Sequence, residues 1–193
     1  KHYYDTLYTH FKNHLDTYNN KIFMFHTSEN IEIATSLVSY QTFTFSTKFF
    51  PSKVKSSNPN IKFILLNGGN YRMFMNTFFK LYEVFDCFLH VDINHLTYLL
   101  DQGLFYICVV MENNVPLACY FYKNTLSMYN KSKTITLVGS YKGNISNQLF
   151  LEGFYNSIIM VYSKEKMKII MLDNLAHNEE LIKDAQKYKS IKT

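Results

Sequence analysis

The sequence predicts a mixed α/β protein built on one sheet, and three observations predict it. Apolar runs of strand length recur at Ile61–Leu66, Phe105–Glu112, Val115–Lys123, Lys133–Ser140 and Lys168–Leu172. Stripes at helical spacing lie between or after them, as in Leu149, Phe150, Phe154, Ser157, Ile158 and Val161. Two of the runs are joined by Asn113-Asn114, a pair that tolerates the positive φ of a tight hairpin.

The elements follow in order. Tyr4, Leu7, Tyr8, Phe11 and Leu15 form one face of an amphipathic helix, ended by Asn19-Asn20. Lys21–His26 reads as a strand and Glu29-Asn30 as a turn. Ile31–Ala34 and Ser36–Phe45 alternate β-branched or aromatic residues with polar ones and read as extended. Pro51–Asn60 holds two of the three prolines and no aromatic residue, and marks a linker. Strand Ile61–Leu66 leads through the turn Asn67-Gly68-Gly69-Asn70 into a helix carrying Met73, Phe74, Phe78, Leu81, Tyr82 and Phe85. A second helix runs from an Asp92 cap to Asp101 and stops at Gln102-Gly103. The hairpin and strand Lys133–Ser140 come next, then a loop Tyr141–Ser146 with Ser146 as cap of the following helix. Lys168–Leu172 is a buried strand and Asn178–Lys187 a short final helix. Residues 61–187 therefore read β–α–α–β–β–β–α–β–α.

Composition narrows the function. With 193 residues and 47% apolar content the chain can bury a real core. No apolar run approaches the ~20 residues of a membrane span, and Lys1–Lys12 lacks the apolar region of a signal peptide. A cytoplasmic setting is expected. Cys87, Cys108 and Cys119 have no metal-ligand spacing and are expected as buried free thiols. His10 and His14 stand at i, i+4 with no following carboxylate motif, so no metal is expected. The net charge of +5 is carried almost wholly by lysine, Arg72 being the single arginine, which argues against sequence-specific nucleic-acid recognition. The Lys-, Asn-, Ile-, Tyr- and Phe-rich bias is that of AT-rich coding genomes, such as those of some large DNA viruses or protists.

The element order resembles the GNAT acyltransferase order. The resemblance implies a strand pair that splays apart, with acyl-CoA in the gap and its pyrophosphate on backbone N–H groups at the next helix start. In this chain that place is Tyr141-Lys142-Gly143-Asn144-Ile145-Ser146, with one glycine where the family has several. Lys142, Gly143 and Asn144 are the implied cofactor-binding residues.

A wider likeness covers most of the chain: it resembles the C-terminal portion of N-myristoyltransferase, which fuses two GNAT-like halves. Leu7–Phe25 resembles the helix and strand closing the first half. Ile33–Tyr40 resembles a ribbon with a Thr-Cys-Arg-Tyr-Trp-His motif, Tyr40 standing at the His place. Phe105–Thr125 resembles a hairpin that ends in Ser-Phe-Tyr. Leu137–Tyr141 and Met171–Leu181 resemble an Ala-Tyr-Ser-Phe-Tyr strand and a segment ending in Glu-Asn, with Ser140 at the Ser, Asn174 at an Asp and Asn178 at the final Asn. The family's terminal carboxylate base and its glycine-rich stretch have no counterpart here.

The likeness implies residues 1–50 as the tail of a first half, 51–60 as linker and 61–193 as a second half, one and a half modules in all. The chain does not begin with Met, and a fragment or a shortened relative is expected. The implied activity is acyl transfer from acyl-CoA, myristoyl-CoA in particular, to the N-terminal amine of a protein or peptide. The implied peptide-binding residues are Tyr40, Ser127, Ser140, Tyr141 and Asn178, Asn178 being alternatively an ordinary helix cap. His177 and Asp173 are the candidate bases. The alternative is a non-catalytic GNAT-fold assembly or virion protein, whose gap would be filled by Tyr120, Tyr122 or Tyr141 and whose surface a partner would cover.

Overall fold

The computed structural model describes residues 42–51, 54, 58–74, 93–124, 126, 128–129, 131–174 and 178–188. All fall within one unit spanning Tyr40–Thr193. The expected helix and strands before residue 41, Tyr40, the cap Asp92, most of the helix after Met73, Ser127 and His177 lie outside the described residues.

Among the described residues there are seven strands and three α-helices: β1 (Thr42–Ser46), β2 (Ile61–Leu66), α1 (Ile93–Asp101), β3 (Phe105–Glu112), β4 (Val115–Lys123), β5 (Met128–Tyr129), β6 (Ser132–Lys142), α2 (Asn147–Glu165), β7 (Ile169–Asp173) and α3 (Asn178–Ala185). The main sheet runs β1-β7-β6-β4-β3-β2, with β5 folded back on the start of β6. Neighbours are antiparallel except β6 and β7, which are parallel. A parallel pair needs a crossover, and α2 is that crossover. The fold is the mixed-sheet α/β arrangement expected from the element order. No helix among the described residues is long and apolar enough to cross a membrane.

Alternation explains why β3 is buried along almost its whole length. Tyr106, Cys108 and Val110 face the core under α2 and α3, beside Tyr120, Phe150, Phe154, Leu172 and Leu181. Ile107, Val109 and Met111 face the opposite core, with Leu96 and Leu100 of α1 and Leu66 of β2. The hairpin turn is as expected: Asn113 and Asn114 have φ of 50° and 65°, and Glu112 pairs with Val115.

Some boundaries differ from expectation. β6 continues to Lys142, because Tyr141 and Lys142 still pair with Cys119 and Ala118 of β4. The expected loop therefore begins at Gly143, not Tyr141. β5 was not expected; two residues give no periodic signal. α3 ends at Ala185, after which Lys187 and Tyr188 close a turn on Asp184 and Ala185. Thr42–Ser46 pairs antiparallel with β7 along five residues and forms that edge of the sheet.

Candidate functional site

The site is built where β6 and β7 part. They pair from Thr134–Ile169 to Leu137–Leu172 and no further, although β6 runs on to Lys142. Among the described residues, β7 pairs with β6 no further than Leu137. At the same point β6 bulges: Phe121 lies opposite Gly139 and Tyr122 opposite Leu137, leaving Val138 as the extra residue. Gly139 inside a strand is the sequence signal for that bulge, and sequence reasoning passed over it.

Asn178 holds the point of divergence. Its Nδ2 donates to the backbone carbonyl of Asp173 at 2.6 Å and to that of Leu137 at 3.3 Å. One amide so ties the last paired residue of β6 to the end of β7. Asn178 is the first residue of α3 and is fully buried, so its side chain is a strand clamp and not a cap for its own helix. Its Oδ1 has no hydrogen-bond partner among the described residues, and neither has the Oγ of Ser140, also fully buried. Ser140 stands opposite Tyr120, on the α2 side of the sheet. Buried polar atoms of this kind are rarely left unpaired, since each costs ~1–3 kcal/mol.

Asp173 and Tyr141 flank the gap on the other face. Leu172 faces the α2 core, so alternation turns Asp173 away from it. Tyr141, opposite Cys119, packs against the α1-side core. Asp173 is buried and its Oδ1 accepts a hydrogen bond from Thr42 Oγ1 at 2.7 Å, so an edge strand orients it. Thr42 carried no signal in the sequence, because its role depends on a strand pair formed across the linker.

The start of α2 is less open than the resemblance implied. Ser146 caps the helix as expected, accepting from Leu149 N–H at 3.2 Å. Gly143 N–H, however, donates to the Leu117 carbonyl at 2.9 Å. That carbonyl is offered by a second bulge, where Val110 pairs with Ala118 and Met111 with Pro116. A Cβ at Gly143 would approach it to 2.7 Å, so glycine is needed for this close approach. Lys142 is partly buried beside the Phe150 ring and donates to Asn147 Oδ1 and to both carboxylate oxygens of Glu180, at 2.9 and 3.2 Å. Asn144 is exposed. The first-turn N–H groups of Asn147 and Gln148 have no intrahelical acceptor, as at any helix start.

Of the tyrosines named for the gap, Tyr120 and Tyr122 pack on the α2 side of the sheet and Tyr141 on the α1 side. Tyr120 and Tyr122 are fully buried under α2, donating to the Phe150 carbonyl and sharing a hydrogen bond with Ser157 Oγ, each at 2.5 Å. Tyr141 turns to the opposite face. Burial pushes the phenols of Tyr120 and Tyr122 well up, and likewise the thiols of Cys108 and Cys119, which are free and neutral. Neither thiol is a nucleophile in this state. No group of three metal-ligating side chains occurs among the described residues.

No protein-family model matches the chain, and no curated protein matches its sequence. Solved structures do align with it. One is an aminoglycoside N-acetyltransferase in complex with CoA, 13% identical, covering 69% of this chain and 91% of that one with a TM-score of 0.49. Another is an aminoglycoside acetyltransferase from an uncultured soil metagenomic sample, in complex with trehalose, 13% identical over 68% of this chain and 89% of that one, TM-score 0.48. A third is a ribosomal-protein-alanine N-acetyltransferase from Brucella melitensis, 7% identical over 54% of this chain and 72% of that one, TM-score 0.41.

Proposed function

We propose that the gap between β6 and β7 is an acyl-CoA site and that the protein transfers an acyl group to an amine. One observation carries the reading: the parallel pairing ends at Leu137 and Leu172, at a bulge, beside two buried polar atoms that nothing within the described chain satisfies. An extended, amide-bearing ligand laid along β6 beyond Leu137 would hydrogen-bond to it as a strand does. The Ser140 hydroxyl and the Asn178 Oδ1 lie beside that segment for the ligand's remaining donors and acceptors.

The chemistry follows from the two faces. An acceptor amine entering on the Tyr141 side meets Asp173, whose carboxylate takes its proton as nitrogen attacks the thioester carbonyl. The amide bond forms, the C–S bond breaks, and the thiol of CoA leaves with a proton, for which the Tyr141 phenol is the proposed donor. Backbone N–H groups of β6 would steady the oxyanion. The resemblance to N-myristoyltransferase supports a long-chain donor and a protein or peptide N-terminus as acceptor, with Tyr40 and Ser127 as peptide-binding residues and His177 as an alternative base.

The test is an acyl-transfer assay with myristoyl- and acetyl-CoA on a peptide beginning with glycine. Turnover is expected, falling at least ~100-fold in Asp173→Asn, the usual loss for a positioned base. Turnover unchanged in that variant would remove Asp173 from the chemistry.

A second reading, a non-catalytic assembly protein of the same fold, is favoured by the Lys142–Glu180 bridge and the spent Gly143 N–H. Under it an internal carboxylate occupies the cation that a pyrophosphate would use. Glu180→Gln separates the two: it should tighten CoA binding if the gap is a donor site, and have no such effect otherwise.

A further inference from the structure

The end of the sheet opposite the gap has a different character. There β4 finishes, β6 and β7 begin, and α2 ends. These segments are held together by Lys168 N–H on the Lys133 carbonyl and Thr47 N–H on the Lys168 carbonyl. Lys123 and Lys131 flank the β4–β6 connection, and Lys164, Lys166 and Lys168 follow one another from α2 into β7, all exposed. Lys48, beside Thr47, is exposed as well. The acids at this end among the described residues are Asp101, on the α1 side, and Glu165, which Lys133 and Tyr106 already hold.

Four of the six exposed large apolar side chains among the described residues sit on the same end. Leu126 and Met128 project from the β4–β6 connection at 69% and 66% exposure, and Phe49 and Tyr162 each lie under a neighbouring lysine, Lys48 and Lys166. Leu126 is also held in the left-handed region, at φ 57°, by its N–H on Asn124 Oδ1 at 3.1 Å. Asn124 is itself buried and anchored to the Gly103 carbonyl at 3.1 Å. A leucine kept in a costly conformation with its side chain in water indicates a use for that exposure.

We infer that this end is a docking surface for an anionic lipid membrane. Aliphatic side chains at the tip enter the acyl boundary, aromatic ones sit at headgroup depth, and the surrounding lysines meet lipid charge. Nucleic acid fits less well. The charge comes from lysine and not from arginine forks, and Leu126 and Met128 offer no stacking plane for a base.

The test is co-sedimentation of the full chain with phosphatidylcholine vesicles, alone or with about 30 mol% phosphatidylserine. Binding is expected on the anionic vesicles only, weakening steeply as salt rises from about 0.1 to about 0.5 M. Two exposed-site variants, Leu126→Ser with Met128→Ser, and Lys123→Glu with Lys168→Glu, should each lower it by about tenfold or more with an unchanged melting temperature. Absent binding, equal binding to neutral vesicles, or indifference to both variants would overturn the inference. So would tighter retention on duplex or single-stranded nucleic acid that ignores the Leu126 and Met128 changes.

Discussion

The Asn178 amide reaches Leu137 across the parallel pair, donating from Nδ2 to its carbonyl at 3.3 Å while the same nitrogen donates to Asp173 at 2.6 Å. A side chain from the third helix therefore fixes where the two strands stop pairing. The end of the β6–β7 pairing at Leu137 coincides with that clamp and with the bulge at Val138.

Removing the clamp should cost stability. Asn178→Ala leaves two buried carbonyls without this donor, and ~2 kcal/mol lower unfolding free energy is expected from urea titration. Asn178→Asp should be worse, because it sets carboxylate oxygens against carbonyl oxygens. Equal stability in all three proteins would show that the carbonyls are satisfied otherwise.

A second prediction concerns Gly153, in the face of α2 that lies on the sheet. A Cβ there would come within 2.5 Å of both the Tyr120 hydroxyl and Val110 Cγ2. Gly153→Ala should destabilise by ~1–3 kcal/mol despite its better helix propensity. Adding Val110→Ala should recover part of the loss, since it removes one of the two clashing atoms.

The fold was more legible in the sequence than the site, for a physical reason. Strands such as β3 and β4 announce themselves through runs of Val, Ile, Tyr and Phe, and the Asn113-Asn114 pair supplies its own turn chemistry. Ser146 could be read as a cap because capping is local. The site depends on contacts far apart in sequence: Asn178 with Leu137, Thr42 with Asp173, Lys142 with Glu180. Nothing local distinguishes these polar residues from others at strand and helix ends. Gly143 likewise makes room for the Leu117 carbonyl, a bulge contact invisible in a linear reading.

Acid sensitivity should localise to Glu165. Burial raises its carboxyl, but hydrogen bonds from Lys133 and Tyr106, with the charges of Lys133 and Lys164, outweigh burial and hold it below its ordinary value of 4.5. A depressed carboxyl contributes stability that is present above the unfolded-state value and lost as pH falls through the folded one. Melting temperature should therefore drop as pH falls below about 4.5, and Glu165→Gln should flatten that part of the curve. An unchanged slope in the variant would assign the acid sensitivity to other carboxylates.

The buried thiols give a simple probe of native packing. Cys108 and Cys119 should resist a thiol reagent at neutral pH and react fully in denaturant, as mapped by mass spectrometry of the labelled peptides. Labelling of either in the native protein at the unfolded rate would contradict the two-sided burial of the β3–β4 hairpin.

Hydrogen exchange with and without myristoyl-CoA or acetyl-CoA reads the gap itself. If acyl-CoA lies along β6 beyond Leu137, amides in Val138–Lys142 and in the first turn of α2 should slow on addition of the thioester, and those of β2 and α1 should not. No protection with either thioester at saturating concentration, or protection confined to another part of the sheet, would contradict the assignment of the β6–β7 gap as the acyl-donor site.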